Sequence, residues 1–332
     1  MSTGNLDIIL LTIDCLRYDY APLSEKSAVT MPYLYKLARK SITFNQAISN
    51  GSSTLPSIIS IFTSTYPLTF GIPNELNTYL SYRVTITDIL KRRGYTTALF
   101  HSNVFFRTFE KKFNYVLDTE TFERRAKSNK ISQKIKSKII SKVLDFLNYF
   151  STRSEKGIKI RAWLRMLFHK CVKQMQDEIT LSEAIKWIRH AKSPFFVWIH
   201  LMQLHPPHYL PEEYIPHDLN LYDVLKISYK ATWMPTRLSS EELNTLKRIY
   251  ELEVRTVDHL IGQFIEKVYE ELGDDFVMII TSDHGEGLGE HGKVGHGNSL
   301  YEEIIHIPLL LHMPSKESKE VDIIVNHLDI LP

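Results

Sequence analysis

Phe276–Pro308 reads FVMIITSDHGEGLGEHGKVGHGNSLYEEIIHIP and sets an acid and several histidines directly behind an apolar run. The run Val277–Ile280 has the length and continuous apolar character of a strand buried on both faces of a parallel sheet. Asp283 and His284 follow it, at the end of the strand where open α/β sheets place ligands. The frequent glycines after them indicate a tightly folded loop. A carboxylate beside an imidazole predicts a divalent cation site.

Two interpretations of this loop are open when it is considered alone. A polar, glycine-rich surface loop with solvated histidines has the same composition. His291 and His296 lie in the same loop and favour the chemical interpretation. The first predicted strand, Ile8–Ile13, also ends in an acid, Asp14, which would either cap the next helix or bind the same cation. The two strand-end acids together favour the cation.

The composition indicates a globular protein. The 332 residues are 43% hydrophobic and 23% charged, enough to form one large domain or two small ones. No apolar run reaches the roughly 18 residues of a membrane span, and the first residues lack the pattern of a secretion signal. Two cysteines, Cys15 and Cys171, are too few for a disulfide framework. We therefore expect a cytoplasmic protein.

The net charge of +2 conceals a basic segment. Residues 121–176 hold 15 Lys or Arg and 3 Asp or Glu, which leaves 25 and 35 in the rest of the chain. An apolar stripe at helical spacing predicts a basic helical insertion over residues 119–176. It would either pack on the core with a solvated basic face, or meet an anionic membrane surface or a polyanion, making the protein peripheral at the membrane. Nucleic acid is not expected, because aromatic residues are not interleaved with the basic ones.

Strand patterns alternate with helical patterns along nearly the whole chain. This alternation predicts a doubly wound α/β fold, a mostly parallel sheet between helical layers. The predicted helices are Met31–Lys40, Arg83–Arg93, Glu178–His190 and Ser239–Leu272, and further strands are Thr96–Phe100, Phe195–Ile199 and Ile307–His312.

Asn50–Pro67, NGSSTLPSIISIFTSTYP, predicts a helix that begins near Thr54. The unpaired N–H groups of a helix N-terminus stabilise an anion, so a nucleophile for an anionic ester fits here. The alternative is that Ser53 or Thr54 only caps the helix.

TSDHGEGLGEHG followed by GHGNSLYEE resembles the late metal-binding motif of the sulfatase branch of the alkaline phosphatase superfamily. The resemblance covers about residues 5–118 and 178–332. It implies an alkaline phosphatase-like fold and one catalytic domain over residues 1–332. In the family, VDIIVNHLDILP begins a further segment, so we expect a domain that lacks the C-terminal subdomain.

Two departures from the family bear on the chemistry. Sulfatases carry Cys or Ser, followed by x-Pro-Ser-Arg, and convert the Cys or Ser to formylglycine. This chain reads Thr54-Leu55-Pro56-Ser57-Ile58, and Cys15 stands where a second acid is common. Threonine cannot become formylglycine, and related phosphotransferases use an unmodified threonine. A sulfated threonine has to be hydrolysed directly, so Thr54 favours phosphoryl chemistry.

The resemblance also implies the site. One divalent ion, Ca²⁺, Mn²⁺, Mg²⁺ or Zn²⁺, would be the cofactor. Its expected ligands are Asp14, Thr54, Asp283 and His284, the catalytic residues are Thr54, His205 and His296, and the residues that bind the substrate are His200, His205, His291 and His296.

Three functions are compatible with these residues. The first is a metal-dependent hydrolase of phosphate or sulfate esters that uses Thr54 as its nucleophile. The second is a transferase that moves a phospho-headgroup onto a lipid or glycan. The third is a noncatalytic binding protein, which Cys15, Ile58 and the short C-terminus favour.

Overall fold

A computed structural model of the protein describes residues 5–21, 29–67, 80, 83–119, 176–208, 210, 214–314 and 316–330. The predicted basic insertion, apart from its two end residues, and Cys171 lie outside this part of the chain. None of the helices in the described part has the length and apolar character needed to cross a membrane.

An eight-stranded sheet forms the centre of the described protein, in the order β10-β2-β9-β6-β1-β5-β3-β4. Every neighbouring pair is parallel except the two pairs made by β9, which runs against both β2 and β6. The strands are β1 (Asp7–Ile13), β2 (Ile42–Ile48), β3 (Thr96–His101), β4 (Tyr115–Asp118), β5 (Phe195–Leu201), β6 (Phe276–Ser282), β9 (His306–His312) and β10 (Lys319–Asn326), and a separate two-stranded ribbon pairs β7 (Gly287–Leu288) with β8 (Val294–Gly295).

Helices cover both faces of the sheet. Two of them begin with a capping box, in which Thr85 and Ser239 exchange hydrogen bonds with the third helical residue. The α-helices are α1 (Pro32–Ala38), α2 (Thr54–Thr63), α3 (Ile86–Arg92), α4 (Arg107–Glu110), α5 (176–190), α6 (Leu221–Trp233), α7 (Ser240–Leu272) and α8 (Glu302–Ile305), and 3₁₀ turns span Tyr18–Tyr20, Val104–Phe106, Pro235–Arg237, Glu290–Gly292 and His327–Ile330.

The side chains of β1 divide the apolar core into two layers. Ile9, Leu11 and Ile13 pack in the layer that contains α1, α5, α6 and α7. Leu10 points to the opposite face and packs in the layer that contains α2 and α3. A strand that is apolar on both faces is what a doubly wound sheet requires, and the predicted fold class is confirmed.

The register of the central strands brings three strand ends together. Ile13 pairs with Ser282 of β6 on one side and with Leu201 of β5 on the other. Because all three strands are parallel, the residues that follow them emerge at the same edge of the sheet. This edge carries Asp14 and Asp283, as predicted from the strand-end pattern.

One predicted strand needs correction, and two features of the sheet were not predicted. The strand expected at Phe195–Ile199 continues through Leu201, so His200 lies within β5 and does not follow it. The strand expected at Ile307–His312 runs antiparallel to its neighbours. Lys319–Asn326, near the end of the described part, form an edge strand that local patterning did not predict.

His327 is a buried side chain that contacts β6. Its Nε2 lies 3.0 Å from the Ser282 carbonyl oxygen, to which it donates, and the ring is buried. Burial lowers the pKa of His327 to about 4, because the charged imidazolium would lose its hydration.

Replacing His327 by Gln tests whether burial lowers the pKa of His327, since Gln keeps a side-chain N–H donor but does not titrate. The unfolded chain binds a proton near pH 6.5 and the folded chain only near pH 4, so protonation favours unfolding as the pH falls. We expect the unchanged protein to lose about 3 kcal/mol relative to His327→Gln between pH 7 and pH 4. Urea unfolding at a series of pH values measures the difference; parallel pH profiles for the two proteins would contradict it.

Candidate active site

Four predicted residues meet where β1, β6 and α2 come together. Asp14 follows β1, Asp283 and His284 follow β6, and Thr54 is the first residue of α2. The Thr54 hydroxyl lies 3.2 Å from Asp14 Oδ2 and 3.3 Å from His284 Nε2. His284 Nε2 is in turn 3.7 Å from Asp14 Oδ1 and 3.5 Å from Asp283 Oδ2. The side chains of Asp14, Asp283 and His284 are fully buried.

The helix-cap interpretation of Thr54 does not fit this geometry. Ser53 is the N-cap of α2, and its side chain makes no capping hydrogen bond. The Thr54 side chain instead faces Asp14 and His284, and only 7% of the residue is exposed. The N-terminus of α2 thus presents a buried hydroxyl beside backbone N–H groups that have no partner within the helix.

The orientation of His284 presents the Nε2 lone pair to oxygen atoms of Asp14, Asp283 and Thr54. Its Nδ1 lies 2.8 Å from the Gly285 carbonyl oxygen, which only accepts, so Nδ1 carries the proton in the neutral ring. Nε2 is then unprotonated and points at oxygen atoms of Asp14, Asp283 and Thr54. A backbone carbonyl that fixes the second ring nitrogen is typical of histidines that bind metals.

The electrostatics of the two acids fit a bound cation. Burial and the charge of Asp14 raise the pKa of Asp283. Burial also acts to raise the pKa of Asp14, but the charge of His205 and contacts with His200 and His284 hold it well below its usual value. Asp283 Oδ2 is buried without a hydrogen-bond partner. Two carboxylates, a hydroxyl and an imidazole lone pair, 3.2–3.7 Å apart along these contacts, match donors that share one divalent ion at about 2.0–2.5 Å.

Cys15 lies beside these ligands in a left-handed conformation, with φ of 62°. Its thiol donates to Asp14 Oδ1 at 2.9 Å, and Sγ is 3.6 Å from His296 Nδ1 and 3.9 Å from His284 Nδ1. Burial and the charge of Asp14 raise the pKa of Cys15 well above its ordinary value. The Cys15 thiol keeps its proton, and the Nδ1 atoms of His284 and His296 each have an oxygen partner. These three atoms therefore do not offer the lone pairs that a second cation would need.

Glu286 is a site residue that the sequence reading missed. Its Oε2 lies 2.7 Å from His296 Nδ1, and the carboxylate is fully buried. Burial of His296 opposes its protonation, but the hydrogen bond and charge of Glu286 raise its pKa to about 9. The ring of His296 lies 4.4 Å from that of His284 between centroids. The GE pair after Asp283 and His284 was visible in the sequence, but its partner is ten residues away in a loop.

The other predicted histidines lie at different depths. His205 is 5.2 Å from His296 between ring centroids, and its Nδ1 contacts the Pro206 carbonyl oxygen at 2.6 Å. His200 is fully buried, and its Nε2 lies 3.5 Å from Asp14 Oδ2, so it faces the acid and not solvent. His291 stacks on Tyr301 at 3.8 Å, and its side chain is half exposed. The structure therefore groups His205 and His296 beside the four-residue cluster, with His200 behind it.

Known proteins resemble this chain in sequence. The family model described as Sulfatase matches residues 7–332. A relative from Escherichia coli (strain K12), named Uncharacterized sulfatase YidJ, is 27% identical over 210 residues, which cover 57% of this chain and 42% of the relative. The aligned part is thus less than half of that relative's length.

Solved structures share the fold at low sequence identity. The phosphonate monoester hydrolase of Agrobacterium radiobacter superposes with a TM-score of 0.67 and 17% identity, over 99% of this chain and 72% of that one. The soluble domain of lipooligosaccharide phosphoethanolamine transferase A from Neisseria meningitidis gives a TM-score of 0.59 and 19% identity, over 93% and 77%. The fold is therefore of the alkaline phosphatase superfamily type.

Cation binding provides a direct test of the cluster. Asp283→Asn removes a carboxylate at the carboxyl end of β6, and Asp275→Asn removes an exposed one just before the same strand. Losing a residue that only hydrogen-bonds to a metal ligand typically weakens metal binding by roughly 10–100-fold. We expect Asp283→Asn, which changes a ligand itself, to weaken Mn²⁺ binding by more than this. Asp275→Asn should bind as the unchanged protein does. Electron paramagnetic resonance of free Mn²⁺ gives both affinities, and equal values would rule out Asp283 as a ligand.

Proposed function

Because this chain belongs to the sulfatase family, we propose that it is a metal-dependent hydrolase of anionic esters whose nucleophile is Thr54. The observation that carries the proposal is the position of the Thr54 hydroxyl, 3.2 Å from Asp14 Oδ2 and 3.3 Å from His284 Nε2 at the start of α2. Asp14, Asp283 and His284, with Thr54, would hold the ion. A bound divalent ion supplies positive charge that stabilises the deprotonated hydroxyl and the charge of the transition state.

The reaction uses groups of the chain at each step. Thr54 Oγ1 attacks the phosphorus or sulfur in line, and its proton goes to Asp14 Oδ2, its hydrogen-bond partner. As the new bond forms, the bond to the ester oxygen breaks. His296, held protonated by Glu286, donates the proton that the leaving oxygen needs. His205, whose ring lies beside that of His296, would neutralise a nonbridging oxygen. Water then attacks the same centre and gives one proton to His296, the bond to Thr54 Oγ1 breaks, and Asp14 returns its proton to that oxygen as the acid leaves.

The identity of the nucleophile favours a phosphate ester over a sulfate ester. A formylglycine hydrate releases sulfate by collapsing to the aldehyde, and a threonine has no equivalent route. The ester on Thr54 has to be cleaved by attack of water at phosphorus or sulfur. Phosphoryl centres accept such attack when several donors and a cation neutralise their charge, as this site allows.

A phospho-headgroup transferase is the second candidate function. It differs only in the last step, where an alcohol of a lipid or glycan replaces water. The similarity to the soluble domain of a phosphoethanolamine transferase supports it, and so does the basic segment, residues 121–176, which would attract an anionic surface.

Variants of Thr54 test the nucleophile. Thr54→Ala lacks the hydroxyl, whereas Thr54→Ser keeps it, so we expect the alanine variant to lose on the order of 10⁴-fold or more in kcat/KM and the serine variant to retain activity. Matched aryl phosphate, phosphate diester and aryl sulfate substrates, with Mn²⁺ or Zn²⁺ present, give the rates. Acid-quenched protein should carry a phosphate on Thr54 by mass spectrometry. Unchanged turnover in Thr54→Ala would remove the proposed nucleophile, and an inactive unchanged protein would favour a noncatalytic role.

Vesicle sedimentation tests the proposed surface binding. We expect vesicles with anionic lipid to pull down the full chain and neutral vesicles to leave it in solution, because surface lysines and arginines contribute about 1 kcal/mol each near an anionic membrane. Replacing the lysines of residues 121–176 by glutamine should abolish sedimentation without changing turnover of a soluble ester. Equal sedimentation of both proteins would contradict the role of this segment.

A further inference from the structure

A chain of three polar side chains lies behind Asp14, inside the sheet. Thr12 of β1 pairs with His200 of β5, and Trp198 lies two residues before His200. The Trp198 Nε1 is 2.9 Å from Thr12 Oγ1, which is 2.7 Å from His200 Nδ1. The other ring nitrogen, His200 Nε2, lies 3.5 Å from Asp14 Oδ2. All four side chains are fully buried.

The chemistry of these groups fixes where each proton lies. An indole N–H only donates, so Thr12 Oγ1 accepts from Trp198. The single hydroxyl proton of Thr12 has two possible acceptors, His200 Nδ1 at 2.7 Å and the Ile199 carbonyl oxygen at 3.4 Å. The shorter contact is the better hydrogen bond. His200 Nδ1 is therefore an acceptor, and the ring proton resides on Nε2, on the side of Asp14.

His200 and His284 flank the same carboxylate in opposite tautomers. His284 has its proton on Nδ1, where it bonds to the Gly285 carbonyl oxygen, and turns an unprotonated Nε2 toward Asp14 Oδ1. His200 turns a protonated Nε2 toward Asp14 Oδ2. One ring can contribute a lone pair to a cation, and the other can only donate to the carboxylate.

We propose that Trp198, Thr12 and His200 form a positioning chain that orients Asp14 for the cation, and that His200 is neither a ligand nor a contact of the substrate. This role rests on the proposed function, in which Asp14 binds the ion. His200 Nε2 is buried without a hydrogen-bond partner and faces Oδ2 at 3.5 Å, so its N–H attracts this oxygen electrostatically and favours one orientation of the carboxylate. Phe106 packs edge-on against His200 at 4.6 Å between centroids and keeps the ring in place. Removing a residue that orients a metal ligand typically lowers metal affinity by roughly 10–100-fold.

Two substitutions of Thr12 separate the hydrogen bonds from the packing. Thr12→Val keeps the branched shape but leaves the Trp198 N–H and His200 Nδ1 without their partner, whereas Thr12→Ser keeps the hydroxyl and loses only a methyl group. The tautomer of His200 is measured by ¹⁵N NMR of the metal-free protein, with its signals identified by their loss in His200→Gln. Mn²⁺ affinity is measured by electron paramagnetic resonance.

We expect the Nε2–H tautomer in the unchanged protein and in Thr12→Ser, with similar Mn²⁺ affinities. Thr12→Val should lose the tautomer preference and bind Mn²⁺ roughly 10–100-fold more weakly. An Nδ1–H tautomer in the unchanged protein, or equal Mn²⁺ affinity in the valine and serine variants, would overturn the positioning role alone. If the unchanged protein bound no Mn²⁺, the proposed cation site would itself be overturned. The NMR measurement on the unchanged protein decides the tautomer even if Thr12→Val does not fold.

Discussion

Two buried carboxylates at the ends of neighbouring strands are the constraint on which this site depends. The pairing of Ile13 with Ser282 places Asp14 and Asp283 side by side, and both are fully buried. Burial and then the charge of Asp14 raise the pKa of Asp283, whereas the charge of His205 and contacts with His200 and His284 outweigh burial at Asp14 and keep it ionised. A dication between the two acids replaces their repulsion by attraction. The parallel register that places the two acids side by side therefore also favours a cation between them.

Local sequence patterns predicted most of the fold, because strands and helices whose apolar residues recur at a regular spacing can be recognised without knowing their tertiary contacts. The capping residue Ser239 and the helix after it were readable from sequence. The direction of β9 could not be predicted, since an apolar run such as Ile307–His312 does not indicate which strands it will pair with. The position of His200 was missed for a related reason. Its polar ring fits inside β5 only because Thr12, on another strand, bonds to it.

The residues of the site were also predicted only in part. Asp14, Asp283 and His284 were predicted because each follows a strand end, where sequence pattern and ligand position coincide, whereas the role of Thr54 came from the resemblance to the sulfatase family. Glu286 was not, because its function depends on the fold of the glycine-rich loop that returns His296 to within 2.7 Å of it. Gly285 allows that return: a Cβ atom there would collide with the Glu303 carbonyl oxygen. The glycines were readable as a tight loop, but the pairing they permit was not.

The loop before α2 and the loop after β6 are joined by a buried hydroxyl, and this link explains how a threonine can be presented to a cation. The Ser49 hydroxyl donates to the Asp283 carbonyl oxygen at 2.6 Å and lies 3.0 Å from Ser57 Oγ of α2. Each hydroxyl has one proton, so with the Ser49 proton on Asp283 the Ser57 hydroxyl is the donor that joins α2 to Ser49 Oγ. The backbone of the cation loop and the N-terminus of α2 are thus held in one hydrogen-bonded unit. A β-branched side chain has few χ1 rotamers, so the Thr54 hydroxyl on this fixed backbone is oriented with little loss of entropy.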